Sequence, residues 1–206
     1  YVGSNNINLF CPNGQFGTRL QGGKDSASER YIFTQLNQIT RDIFVKDDDS
    51  ILKYLHDDGF PVEPIYYVPI IPMILVNGSK GIGTGFSTEI LPYNVKSIIE
   101  YLKCKLTDKD VSKVEFNPYF EDFEGSVNKL DDNKYIVKGL YDKVDDNTII
   151  IKELPVGVWT DDYKQYLESL METTDKNGKK ITPYIKQYDD MSKSTNVNIK
   201  IKFHKD

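Results

Sequence analysis

Between residues 26 and 44, Ile32, Leu36, Ile39 and Ile43 recur at the spacing of one helix face, with Phe33 and Phe44 on its flank. Ser26 followed by Glu29 supplies the S-x-x-E pattern, in which two side chains satisfy backbone N–H groups that a helix start leaves unpaired. The pattern therefore predicts a helix from Ser26 to Phe44, with Arg30 and Tyr31 on the side away from its apolar stripe. A second stripe, Val95, Ile98, Ile99 and Leu102, follows Pro92-Tyr93-Asn94 and predicts another helix starting there. A third, with Tyr163, Tyr166, Leu167 and Leu170 on one side, runs from Asp161 to Met171.

Elsewhere the pattern is that of strands and turns. Residues 1–25 combine a short apolar run with Pro12-Asn13-Gly14, Gly17 and Gly22-Gly23, which predicts short strands and turns. Ile70 to Val76 is a continuous apolar run, read as a strand, that leads into Gly78, Gly81, Gly83 and Gly85. Apolar and polar residues alternate around 125–128, 135–140, 148–154 and 196–203, as in a small antiparallel sheet. The fold class that follows is α+β (mixed α/β), without internal repeats or low-complexity tracts.

Composition adds bounds. A chain of 206 residues with 39% hydrophobic content can bury one good core or two small ones. Its net charge of −5 argues against coating nucleic acid by bulk electrostatics. The charge is uneven, however: residues 1–46 carry Arg19, Lys24, Arg30, Arg41 and Lys46 against Asp25, Glu29 and Asp42, a balance of +2 that leaves −7 for the remainder. That distribution fits a DNA-facing surface on one part only, or a solvated mixed-charge face. Cys11 and Cys104 are isolated and suggest neither a disulfide framework nor a zinc site, which favours a reducing intracellular compartment. No membrane-length apolar run is present. The chain starts at Tyr1 without methionine and ends inside an apparent strand, so it reads as a fragment.

Two stretches hold candidate chemistry. In a chain with 14 tyrosines the bland reading of Tyr31 is a half-exposed helix aromatic. Its place near a helix start, beside the guanidinium of Arg30, also suits a phosphate held against the ring hydroxyl. The glycine-rich run invites a nucleotide-binding reading, but the Rossmann fingerprint needs glycine where Phe86 stands. The Walker pattern needs Lys-Ser or Lys-Thr where Thr84-Gly85 stands. Glycines on both sides of Ile82 permit close backbone approach to a large partner, leaving Ile82 either buried at a tight turn or projecting from it. Asp47-Asp48-Asp49 is read as an acidic cap before a helix rather than a metal site.

Three strings then carry a resemblance. NGQFGTRLQGGKDSASERYIFT (13–34), VEPIYYVPIIPMILVNGSKGIGTGFST (62–88) and ELPVGVWT (153–160) closely resemble the DNA breakage-reunion region of eukaryotic-type DNA topoisomerase II, a type IIA enzyme. The resemblance covers nearly the whole chain. It implies that residues 1–69 are the later part of a winged-helix domain and residues 70–206 a tower domain. It implies that Tyr31 is the nucleophile that becomes joined to the 5′ end of a cut strand, with Arg30 stabilising the transition state. It also implies that Ile82 intercalates between base pairs, and it makes Lys24 and Arg19 candidates for phosphate contacts. For the whole enzyme it implies double-stranded DNA as partner, ATP and Mg²⁺ as cofactors, a homodimer, and a nuclear location. None of these cofactors is expected to bind this fragment, which alone should lack ATPase and cleavage activity.

Two positions depart from the family's pattern. Glu29 precedes the Arg-Tyr pair where the family carries alanine or proline, and Gly157 stands where relatives often carry an arginine reaching DNA. A competing reading is a non-catalytic DNA-binding or scaffolding module of the same fold.

Overall fold

The computed structural model describes residues 1–132, 134–174 and 177–204. In chain order its elements are β1 (Phe10–Asn13), β2 (Phe33–Leu36), α1 (Gln38–Ile43), β3 (Tyr54–Asp57), β4 (Phe60–Pro64), α2 (Met73–Asn77), β5 (Ser79–Ile82), β6 (Ser87–Ile90) and α3 (Val95–Leu106). There follow β7 (Ser126–Asp131), β8 (Lys134–Lys138), β9 (Leu140–Asp145), β10 (Thr148–Glu153), α4 (Thr160–Leu170), β11 (Ile185–Asp190) and β12 (Ile199–Phe203). Short 3-10 helices occupy Glu29–Tyr31 and Lys46–Ile51. The mixed α and β class expected from the sequence is what forms.

The chain divides into two compact units, one of residues 1–4, 14–32 and 120 onward, the other of residues 5–13 and 33–119. Residues 69 and 70 therefore fall together inside the second unit, whereas the sequence suggested a boundary between them.

In the first unit β11, β12, β10 and β9 form, in that order, a four-stranded antiparallel sheet. Alternation decides its faces. Ile199 and Ile201 of β12 and Ile151 of β10 are buried with Leu167 of α4, Leu154, Ile185 and Val197, while the intervening Lys200 and Lys202 lie outside this core. Fully burying one such side chain stabilises the fold by about 1.5–3 kcal/mol. The α4 stripe forms as expected except at Tyr166, which is exposed. β7 and β8 make a separate hairpin, so the expected single small sheet is in fact two, and its outer strand β11 carried no clear alternation in sequence.

The second unit is built from the pairs β1–β2, β3–β4 and β5–β6 around a core of Ile43, Ile71, Val76 and Ile98. α3 begins where its stripe and cap predicted: the Asn94 side chain accepts from Lys96 N at 2.9 Å, and Ile98 is buried. Two expectations fail. No helix spans Ser26–Phe44; instead β2 pairs with β1 in the register Phe10↔Leu36 to Asn13↔Phe33, and the helix starts only at Gln38. β-branched and aromatic residues at 32–34 favour extended backbone once a partner strand is available. The helix start belongs to Asn37, whose side chain accepts from Ile39 N, rather than to Ser26. The apolar run read as a strand at 70–76 also turns helical at Met73, behind Pro72 at the cap position, and Gly78 ends that helix at φ +70°.

Candidate nucleic-acid interface

The loop of residues 14–32 belongs to the first unit and is held by its own short-range bonds. Asp25 is its hub. Its carboxylate accepts from the Thr18 hydroxyl and, at 2.8 Å, from Thr18 N, while Gln15 Nε2 donates to it at 3.3 Å. Those Thr18 bonds, the hydroxyl's first, hold the Asp25 carboxyl below the usual aspartate range. Gly23 N donates to Thr18 O at 3.0 Å and Ala27 N to Gln15 O at 2.9 Å. Gly17 passes so close to Gly23 that neither a Cβ nor an ordinary φ fits there, since its φ is +93°.

At the end of this loop Glu29–Tyr31 makes one 3-10 turn, closed by Tyr31 N to Ser28 O at 2.9 Å. The turn leaves Tyr31 70% exposed and sets the Arg30 guanidinium carbon 5.6 Å from the Tyr31 ring centroid. The structure thus brings the two sequence-predicted residues together at the surface, on a short turn rather than on the long helix the pattern suggested. Glu29 is exposed in that turn and caps no helix. An exposed phenol beside a planar cation can present its oxygen to a phosphodiester while the guanidinium meets the phosphate charge. Lys24 is exposed on the same loop.

Arg19 is placed otherwise. It is 3% exposed; its Nη2 donates to Glu153 Oε1 and to Leu154 O, the latter at 2.9 Å. Its guanidinium is committed inside the unit, and the expectation of a phosphate contact there is corrected. Breaking such a buried pair from one side costs about 3–5 kcal/mol, because an uncompensated charge remains. Three partners of this loop escaped the sequence reading: Glu153, Asp161, whose N donates to Leu20 O at 3.0 Å, and Trp159, against which Gly22 packs without room for a Cβ. The string ELPVGVWT held all but Asp161; what periodicity lacks is any sign of long-range pairing. Gly157, with φ +87°, has open space where a side chain would stand.

In the second unit the glycine-rich run is a β-hairpin. Ile82 pairs with Ser87, and Gly83 N donates to Phe86 O at 2.8 Å across the tip. Ile82 is 95% exposed, so of the two sequence alternatives the projecting one is realised. Lys80 and Glu89 pair across the strands at 3.0 Å. The strand-loop-helix geometry that a nucleotide cradle requires is absent from this run: a second strand, β6, follows the glycines, and α3 starts only at Val95. Asp49 of the acidic triplet pairs with Arg41 at 2.7 Å. Among the described residues no group of three or more His, Cys, Asp or Glu is placed to hold a metal ion, so the donor set does not fit Mg²⁺.

Comparison with known proteins agrees with the three strings. A family model for DNA gyrase and topoisomerase IV matches residues 1–206. The chain is 50% identical over 194 residues to DNA topoisomerase 2 of Arabidopsis thaliana, covering 92% of this chain and 13% of that protein. To DNA topoisomerase 2 top-2 of Caenorhabditis elegans it is 46% identical over 203 residues, covering 98% of this chain and 13% of the relative. The crystal structure of the Plasmodium falciparum topoisomerase II DNA-binding, cleavage and re-ligation domain superimposes with a TM-score of 0.87 at 44% identity, covering 99% of this chain and 27% of that one. The chain thus spans a small part, 13%, of the length of both curated relatives. With the match running from the first residue to the last, the chain belongs to the DNA gyrase/topoisomerase IV family.

Proposed function

We propose that this chain is a breakage-reunion portion of an ATP-dependent type IIA DNA topoisomerase, in which Tyr31 is the nucleophile. The observation that carries the reading is the exposed phenol of Tyr31 with the Arg30 guanidinium 5.6 Å from its ring centroid, at the end of an internally bonded loop. The Tyr31 oxygen attacks a backbone phosphorus, the new O–P bond forms, and the bond from phosphorus to the 3′ oxygen breaks. The phenol gives up its proton to a base, and the departing 3′ oxygen takes one. The cut strand is then held by its 5′ phosphate. Exchanging one phosphate ester for another keeps the bond energy, so the reverse attack by the 3′ hydroxyl reseals the strand without a further energy source. Arg30 neutralises charge gathering on the phosphate oxygens and stays protonated throughout.

Ile82, from the tip of its hairpin, is the residue suited to wedge between base pairs. Unstacking one step costs on the order of a few kcal/mol, offset by the protein surface that a bent duplex can touch. Lys24 is placed to add a phosphate contact that sets register without reading sequence. In this reading residues near Tyr31 are of winged-helix type and the four-stranded unit belongs to the tower. The whole enzyme is a nuclear homodimer that passes one duplex through a break in another; Mg²⁺ and ATP bind parts of it other than this chain.

The test is Tyr31→Phe in the complete enzyme. The variant is expected to bind duplex DNA as before and to leave no protein-linked DNA after a denaturing quench. Adducts persisting at the normal level would remove Tyr31 from the chemistry and favour a non-catalytic role for this module.

A further inference from the structure

The loop that carries Arg30 and Tyr31 is moored at a buried ionic knot, and we propose that Arg19 is a positioning residue for the Tyr31 reaction, acting through Glu153 and the β10–α4 junction rather than on DNA. The inference rests on the reading of Tyr31 as nucleophile. The side chains of Arg19 and Glu153 are 4% and 3% exposed. Glu153 Oε1 accepts from Arg19 Nη2 and, at 2.7 Å, from Leu154 N; its Oε2 accepts from Glu124 N at 3.1 Å; Arg19 Nη2 also donates to Leu154 O at 2.9 Å. Three stretches of chain far apart in sequence therefore meet on one carboxylate, and neither oxygen can turn without losing a partner.

Stability alone does not call for this arrangement, since a well-packed apolar pair of similar volume commonly serves a buried site as well or better. What the ionic pair adds is direction: fixed donors and acceptors define where the loop sits along β10, which apolar contacts leave free to slide. The following residues continue the mooring, with Asp161 N donating to Leu20 O at 3.0 Å, Gln21 Nε2 to Asp161 Oδ2 at 3.1 Å, and Gly22 against Trp159. From there the Thr18–Asp25 bonds and the 3-10 turn carry the placement on to Tyr31. In-line attack tolerates little error: a misplacement of about 1 Å can lower a rate on the order of a hundredfold.

The experiment uses the complete enzyme with Arg19→Met, Glu153→Leu, the double variant, Arg19→Lys, and Tyr31→Phe as a control. Single-turnover DNA cleavage, noncovalent DNA affinity across a salt series, and thermal midpoint are measured for each. The double variant, which leaves no unpaired buried charge, is expected to regain the thermal midpoint lost in the single variants yet to cleave at least about tenfold more slowly than the parent. Its DNA affinity and salt slope should match the parent's. Arg19→Lys, which keeps a cation against Glu153, should cleave at a rate between the parent and Arg19→Met. Recovery of cleavage together with stability in the double variant would make the pair merely structural and overturn the proposal. So would a lower salt slope, which marks a direct phosphate contact, or cleavage by Arg19→Lys and the double variant both within about twofold of the parent. Adducts formed by Tyr31→Phe would instead remove the reading of the nucleophile itself, a separate failure.

Discussion

Asp25 shows how a single side chain can set the condition of a whole loop. Hydrogen bonds from the Thr18 hydroxyl and backbone N–H favour its ionised form and hold its carboxyl below the ordinary value. The stability it contributes is therefore fully present above the value it has in the unfolded chain and is lost as pH falls through its lower folded value. Asp25→Asn, which cannot be an anion, is expected to be less stable than the parent near neutrality and to lose part of the parent's acid sensitivity. Thermal midpoints of the complete enzyme measured from about pH 3 to 7 check this; identical acid limbs in both proteins would contradict it. Lys24 is a different kind of residue, exposed and without a structural bond of its own side chain among the described contacts. Lys24→Ala should weaken DNA binding by a similar factor on all sequences and reduce the salt slope by about 1. An unchanged slope would take Lys24 off the phosphate backbone.

Hairpins and helices differ in how much of them the sequence makes legible. α3 and α4 were readable because a cap or turn signal and a one-sided stripe lie within a dozen residues of each other. The stretch 26–44 misled because Ile32, Leu36, Ile39 and Ile43 keep helical spacing even though a strand and a short helix share them. Pairing with Phe10–Asn13, a partner more than twenty residues upstream, decided the outcome. The β5–β6 hairpin was half legible: glycines announced a turn, but nothing local said whether Ile82 would be buried. Its exposure gives a clean contrast between two isoleucines of one unit. Ile82→Ala should change stability by less than about 0.5 kcal/mol and reduce DNA bending by the complete enzyme in a FRET assay. Ile98→Ala, which hollows the core of the same unit, should cost about 2–5 kcal/mol. Bending unaffected by Ile82→Ala would refute the wedge.

Across the molecule, two compact units each bury an apolar core of their own, and the proposed DNA-facing groups are spread over both: Lys24, Arg30 and Tyr31 in one, Ile82 in the other. The pairing of Arg19 with Glu153, 134 positions apart, belongs to this scale and no local pattern announces it. For that reason Arg19 looked like a surface cation in sequence and is a buried mooring in the fold. Tyr31 and Arg30 were legible through family-specific strings, while periodicity alone left them as one exposed pair among many. The central claim is that one phenol among 14 tyrosines makes the covalent link to DNA. Peptide mapping of the trapped adduct tests it most directly. After nuclease trimming and trypsin digestion, the peptide of residues 31–41, YIFTQLNQITR, is expected to carry the nucleotide mass on its first residue. Nucleotide mass on any other peptide, with 31–41 recovered unmodified, would contradict the account.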